Sequence, residues 1–228
     1  VLGYTYWGEV LGKSFEQTGA LGVQDLVHAL KWIKRNIANF GGDPNNVTII
    51  GQSGGGYKVS TLLTMPEAKG LFHRAVVMSG SAIELVDKEH AAQATRELLA
   101  QLGLSKPTIA DIQAVPIDRL MGAYFATLAK LRGTNVGRAF DPTVDGKAIT
   151  QHPFSPRASM VSPNVPVIFS STSGEATFRA EERLYTLDEA AMRHEIEQSL
   201  HGKADATIAL YRKLYPGSTP SDVYFRIQ

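Results

Sequence analysis

Residues 47–57 (VTIIGQSGGGY) place a short run of β-branched residues before Gly51, Gln52 and Ser53, and three glycines follow the serine. Four β-branched residues in succession favour a strand, and the glycines that follow permit a sharp turn. Residues 55–64 then predict a helix, which ends before Pro66 because a residue preceding proline is biased away from helical geometry. The segment therefore predicts a buried strand, a tight turn and a helix, with Ser53 at the turn.

The rest of the chain alternates between strand and helix patterns. Apolar residues recur at steps of three and four over residues 23–38, which predicts an amphipathic helix. Further patterns predict strands at 75–78 (buried) and 165–170, and helices at 88–102, about 116–131, about 187–200 and 204–214. Strands alternating with helices indicate an α/β fold with a mostly parallel sheet covered on both faces. The helices within about 87–135 are predicted to form a cap-like insertion.

The composition excludes several kinds of site and partner. The formal net charge is +1 with acids and bases mixed along the chain, so no basic stripe indicates nucleic acid or an anionic membrane. The absence of cysteine excludes disulfides, thiolate nucleophiles and Cys-based zinc sites, and it fits a reducing compartment such as the cytoplasm. The apolar runs are far shorter than the ~20 residues of a membrane span. The sequence does not indicate an oligomeric state.

Residues 51–55 form the pattern G-x-S-x-G. Between a strand and a helix, this pattern is typical of a turn that presents a nucleophilic serine. In that setting the Ser53 hydroxyl is lifted out of the sheet as a nucleophile, and the Gly54 N–H can donate to a developing oxyanion. With 21 glycines in the chain, the five letters alone could arise by chance. A phosphate-binding loop is the other glycine-rich alternative, but Lys58 follows at the wrong distance for one.

Three blocks of the sequence resemble the type B carboxylesterase family, the α/β-hydrolases that include cholinesterases and bacterial para-nitrobenzyl esterases. Residues 29–56 resemble the block that carries the nucleophile, and residues 70–81 resemble the strand and turn after it. Asp145 and Gly146, followed by residues 165–178, resemble the later block with the acidic triad member. The resemblance implies an α/β-hydrolase fold over essentially the whole chain.

The resemblance also implies roles for individual residues. Ser53 would be the nucleophile, Glu175 the acid that orients the catalytic histidine, and Gly54 an oxyanion donor, with Ser79 beside the acid. Glu175 follows a predicted strand and comes after the serine, as in α/β-hydrolases, although without the resemblance a solvated loop residue is the simpler interpretation. Gln52 adjoins the nucleophile where the family more often has Glu, which predicts weaker attraction for cationic esters.

Ser173 and Gly174 are a further departure, because they stand where the family usually has a charged or Asn-rich turn. This departure makes the block around the acid less specific than the block around the nucleophile.

No histidine in the chain fits the base that a serine nucleophile requires. His152 precedes the acid, which is the wrong order for this fold, and the others are expected to be structural or solvated: His28, His73, His90, His194 and His201. The chain begins without methionine and ends in an apolar, aromatic stretch, so we expect an interior segment truncated at both ends. The histidine and a glycine-rich oxyanion loop would then lie outside it.

These observations predict a serine carboxylesterase that hydrolyses small-molecule esters through an acyl-enzyme. No metal or organic cofactor is implied. Losing one oxyanion donor costs about 10² to 10³ in turnover and losing a triad member costs more, so the isolated segment should be nearly inactive. Two alternatives remain open: a non-catalytic, cholinesterase-like interaction protein on the same fold, and a lipase or thioesterase.

Overall fold

The computed structural model of the chain describes residues 2–134, 136, 140–172, 174–177, 180–200 and 202–228. The chain divides into two compact units, Val1–Ser170 and Ser171–Gln228. The helices of the first unit are α1 Gly8–Leu11, α2 Leu21–Asn36, α3 Gly54–Leu62, α4 Lys88–Leu102, α5 Ile109–Gln113 and α6 Ile117–Leu131. Its strands are β1 Thr48–Gln52, β2 Arg74–Met78, β3 Val86–Asp87, β4 Thr143–Val144 and β5 Val167–Ser170. The second unit contains α7 Glu189–Leu200, α8 Ala204–Leu214 and α9 Pro220–Ile227.

A three-stranded parallel sheet in the order β1-β2-β5 positions the predicted nucleophile. Gln52, Met78 and Ser170 are register partners at the carboxyl ends of these strands. Because parallel strands end at the same edge, the residues that follow β1 and β2 lie side by side there. The two-residue strands β3 and β4 form a separate parallel pair. The predicted α/β architecture with a mostly parallel sheet is confirmed.

One face of the sheet packs against the main apolar cluster of the first unit. Ala75 and Val77 of β2 are buried in this cluster, and Ile49 and Val167 of the flanking strands pack against it. The cluster also includes buried residues of the two helices beside the sheet: Val23, Val27 and Leu30 of α2, and Tyr57, Val59 and Leu62 of α3. Of the apolar residues that recur over 23–38, Val23, Val27 and Leu30 therefore face the core, whereas Leu26 is 37% exposed.

The opposite face of the sheet differs from the prediction. Residues 47–50 were predicted to be a buried strand, whereas Ile50 of β1 is 63% exposed, as is Ile168 of β5 on the other side of β2. Alternate residues of a strand point to opposite faces, and in the part of the chain that the structure describes the α2 and α3 cluster covers only one of them. The apolar run thus predicted the strand correctly but its burial wrongly.

The helices between residues 87 and 135 form a compact helical segment. α4 and α6 begin and end within one residue of the predicted limits, and they share a buried apolar cluster. Lys130 of α6 also bonds to Glu97 of α4 through an Nζ–Oε2 contact of 2.7 Å. The role of this segment as a cap stays a prediction.

The second unit has an apolar cluster of its own. Met192 and Ile196 of α7 pack with Ala204 of α8 and Val223 of α9. The predicted helices at about 187–200 and 204–214 are confirmed, and α9 is an addition to them. None of the helices in the described ranges is long and apolar enough to cross a membrane.

Candidate active site

Ser53 occupies a strained turn between β1 and α3. Its backbone has φ 53° and ψ −121°, a combination that non-glycine residues rarely adopt and that costs about 1–3 kcal/mol. Two hydrogen bonds hold this conformation: the Ser53 N–H donates to the Met78 carbonyl at 2.9 Å, and the Ser53 carbonyl accepts from Tyr57 N–H at 3.1 Å. The residue is exposed, so the turn presents the hydroxyl-bearing residue at the carboxyl edge of the sheet.

The glycines around Ser53 permit close backbone approaches. A Cβ atom on Gly51 would lie 2.3 Å from the backbone of Gly55, and one on Gly80 would lie 2.0 Å from the Ser53 carbonyl oxygen. A Cβ on Gly56 would meet three carbonyl oxygens at 3.2 Å. The glycine-rich pattern therefore serves packing of the turn against α3 and against the end of β2.

Ser79 repeats the geometry of Ser53 on the neighbouring strand. It directly follows β2, as Ser53 directly follows β1, and it too has a positive φ, of 50°. Its N–H donates to the carbonyl of Ser170, the last residue of β5, at 2.7 Å. Two adjacent parallel strands thus end in serines with strained backbones. The predicted position of Ser79 beside the acid stays a prediction.

Gly54 and Gln52 flank the serine as the sequence indicated. Gly54 is the first residue of α3 and is exposed. The N–H groups of the first helical turn have no partner within the helix, so the Gly54 N–H is available as an anion donor. Gln52 is an exposed residue at the end of β1, on the face of the sheet that Ile50 also occupies. The structure brings Gln52, Ser53, Gly54 and Ser79 together at one edge.

Glu175 belongs to the second unit, where it begins a short 3-10 helix, Glu175–Thr177. Its Oε2 atom accepts two hydrogen bonds from Thr172, one from the backbone N–H and one from the hydroxyl, each 3.1 Å long. Glu175 is exposed, and Thr172 fixes one of its carboxylate oxygens. Ser173 lies outside the described residues. The catalytic role of Glu175 stays a prediction.

Lys58 is a charged neighbour of the turn whose proximity the sequence analysis did not predict. Its Nζ atom donates to the Gly54 carbonyl oxygen at 3.1 Å and lies 5.4 Å from the centre of the Tyr4 ring. The spacing of four residues between Gly54 and Lys58 could have predicted this contact. Side chains in a helix tilt toward its amino end and reach residues one turn earlier.

His73 and His152 have structural roles. The Nδ1 atom of His73 accepts from the Val47 N–H at 3.2 Å, just before β1 begins. The Nδ1 atom of His152 accepts from the Leu85 N–H at 3.1 Å, and its Nε2 lies 3.5 Å from Asp87 Oδ1. Each imidazole therefore joins backbone segments of the first unit.

The remaining histidines lie on helices or outside the described residues. His28 and His90 are on α2 and α4, and His194 is on α7 with Gln198 at 2.8 Å. His201 lies outside the described residues. The prediction that the catalytic histidine lies outside this sequence stays a prediction.

Comparisons with known proteins show the family to which the chain belongs. A family profile described as "Carboxylesterase family" matches residues 4–218. The chain is 34% identical over 155 residues to the para-nitrobenzyl esterase of Bacillus subtilis (strain 168), an alignment that covers 68% of this chain and 32% of that protein. It is 30% identical over 222 residues to Lipase 4 of Diutina rugosa, covering 92% of this chain and 40% of that protein.

A solved structure extends the comparison to the backbone. A carboxylesterase of Geobacillus stearothermophilus superposes with a TM-score of 0.78 at 30% identity, over 99% of this chain and 46% of that one. The chain thus spans about a third of the length of the para-nitrobenzyl esterase and slightly less than half of the Geobacillus carboxylesterase.

Proposed function

Because the chain belongs to the carboxylesterase family, we propose that it supplies the nucleophile and the acid of a serine carboxylesterase. The strained turn at Ser53 is the observation that carries this proposal. A serine held at φ 53° after a parallel strand, with the Gly54 N–H beside it, is the arrangement that acyl transfer requires.

The reaction proceeds in two acyl-transfer steps. The Ser53 Oγ attacks the ester carbonyl while a histidine from outside this sequence takes its proton, and the carbonyl oxygen becomes an oxyanion to which Gly54 N–H donates. The bond to the alcohol then breaks, and the histidine returns the proton to the departing alkoxide. Water then attacks the acyl carbon while the histidine takes its proton. The bond between the acyl carbon and the Ser53 Oγ breaks, and the histidine returns the proton to Ser53, which frees the carboxylic acid. Glu175 orients the histidine and stabilises its protonated form.

The substrates we propose are carboxylic esters of small or medium alcohols. The names of two relatives, a para-nitrobenzyl esterase and a lipase, are consistent with this class. The mechanism requires no metal or organic cofactor.

Covalent labelling of the full-length protein tests the proposal. A fluorophosphonate probe should modify Ser53 as fluoride leaves the phosphorus atom, and the variant Ser53→Ala should not be labelled. Ser105→Ala is the matched control, because it removes the hydroxyl of an exposed loop serine outside the candidate site and should leave labelling intact. A folded full-length protein that resists the probe would contradict the esterase and favour the non-catalytic interaction protein.

A further inference from the structure

Lys58 places a positive charge one helical turn from Gly54, the residue that follows Ser53. An ammonium group has three N–H donors, and the Nζ of Lys58 uses one of them on the Gly54 carbonyl oxygen. Among the residues that the structure describes, no carboxylate forms an ion pair with this nitrogen. Lysines at protein surfaces are commonly solvated or paired, whereas this one is half-buried at the edge where the proposed ester would bind.

The ammonium group of Lys58 contacts both the Gly54 carbonyl oxygen and the face of the Tyr4 ring. The Nζ atom lies 5.4 Å from the centre of the Tyr4 ring, a cation–π distance, and it would stand 3.7 Å from a Cβ atom on residue 54. Burial raises the pKa of the Tyr4 hydroxyl, with further contributions from the carboxylates of Asp141 and Asp25. Tyr4 therefore stays neutral near pH 7, and its hydroxyl adds no negative charge beside Lys58.

Gln52, Gly54 and Lys58 place no negative charge beside the Ser53 turn, and two of them contribute positive charge. Gln52 is neutral, Gly54 is the first residue of α3, whose amino end carries a partial positive charge, and Lys58 adds a full one. A substrate group with a negative charge would be attracted here, and a cationic group would be repelled.

We propose that Lys58 is a specificity-determining residue that favours esters carrying a carboxylate near the scissile bond. This inference rests on the proposed esterase function and names a substrate class for it. The two N–H groups of Lys58 that have no partner among the described residues would bind the carboxylate directly or through one water molecule.

Three aryl acetates that differ in the charge of the para substituent test this proposal in the full-length protein. The substrates are 4-acetoxybenzoate, the neutral 4-acetoxybenzamide and the cationic 4-acetoxy-N,N,N-trimethylanilinium, and each variant is compared with the wild type by kcat/KM. Lys58→Met should lower the ratio of carboxylate to amide by about twofold to fivefold, the effect of an exposed ion pair. The same variant should raise the ratio of trimethylammonium to amide.

Two control variants test whether the effect comes from the positive charge at residue 58. Lys58→Arg should keep the wild-type ratios, and Lys106→Met, which removes a charge from an exposed loop residue, should keep them too. Circular dichroism confirms that each variant is folded. If Lys58→Met changes the three substrates by one common factor, or by none, the inference is wrong while the esterase stands. If the wild type hydrolyses no ester and Ser53 resists the fluorophosphonate, both proposals fall.

Discussion

The backbones of Gly80 and Ser53 approach so closely that a Cβ atom on residue 80 would lie 2.0 Å from the Ser53 carbonyl oxygen. That oxygen accepts the first hydrogen bond of α3, from Tyr57 N–H. The turn after β2 is therefore packed directly against the turn that carries the nucleophile, and a change at one must displace the other.

We predict that Gly80→Ala destabilises the protein and weakens its reaction at Ser53. Atoms of the main chain cannot rotate away as a side chain can, so the clash should cost about 1–3 kcal/mol of unfolding free energy. Urea unfolding measures this loss, and the rate of fluorophosphonate labelling reports the displaced serine. Gly122→Ala is the control, because a Cβ there meets nothing within 4 Å and lies inside α6. Equal stability of the two variants would contradict the prediction.

The sequence predicted the turn at Ser53 well because its signals are local. β-Branched residues, glycines and a helix within residues 47–64 act over a few positions, and β1 and α3 lie where they predict. The burial of β1 could not be predicted in the same way. Whether Ile50 is covered depends on what packs against that face, and an apolar run is compatible with either outcome.

The strands β3 and β4 show a second limit of sequence reasoning. Each contains two residues, too few for any periodicity, and their pairing joins Val86 to Thr143 across a large sequence separation. By contrast, α9 could have been recognised. Thr219 and Asp222 form a capping box around Pro220, a pattern that is visible in the sequence TPSD.

The candidate site also has one part that a local motif predicts and another that depends on three-dimensional contacts. Ser53 and Gly54 follow from a short motif, whereas the contact of Lys58 with Gly54 depends on the direction of a helical side chain. The hydrogen bonds from Thr172 to Glu175 likewise depend on a turn whose conformation the letters TSGE do not specify.

The hydroxyl of Thr172 should influence turnover through the carboxylate that it holds. Thr172→Val removes the hydroxyl donor to Glu175 Oε2 and keeps the backbone donor. An exposed hydrogen bond contributes about 1 kcal/mol, so kcat of the full-length enzyme should fall about fivefold. Thr172→Ser, which restores a hydroxyl, should recover most of the loss. An unchanged kcat in the valine variant would show that this contact does not position the acid.

The ion pair between Glu97 and Lys130 should make the packing of α4 against α6 sensitive to acid. The hydrogen bond from Lys130 lowers the pKa of the Glu97 carboxyl, and one from Gln101 lowers it further. A depressed pKa stabilises the folded state above the unfolded pKa of about 4.3, and this stabilisation is lost as the pH falls through the folded pKa.

We therefore expect Lys130→Met to cost about 0.3–1 kcal/mol of unfolding free energy at pH 7, since Lys130 is largely exposed. The cost should shrink toward zero well below pH 4, which urea unfolding at the two pH values measures. Lys106→Met removes an exposed charge that forms no such pair among the described residues, and it should show no comparable dependence on pH. A cost that is the same at both pH values would exclude the ion pair as its source.

Gln52 should determine how the site responds to cationic esters. It is exposed beside Ser53, and Gln52→Glu introduces a negative charge with almost no change in volume. A single exposed charge pair contributes about 0.2–1 kcal/mol, so kcat/KM for a trimethylammonium ester should rise about twofold to fivefold relative to its neutral amide analogue. The gain should shrink as the salt concentration rises, because screening weakens attraction between exposed charges. Gln24→Glu, on α2, controls for net charge, and identical kinetics for cationic and neutral esters in the Gln52 variant would refute the prediction.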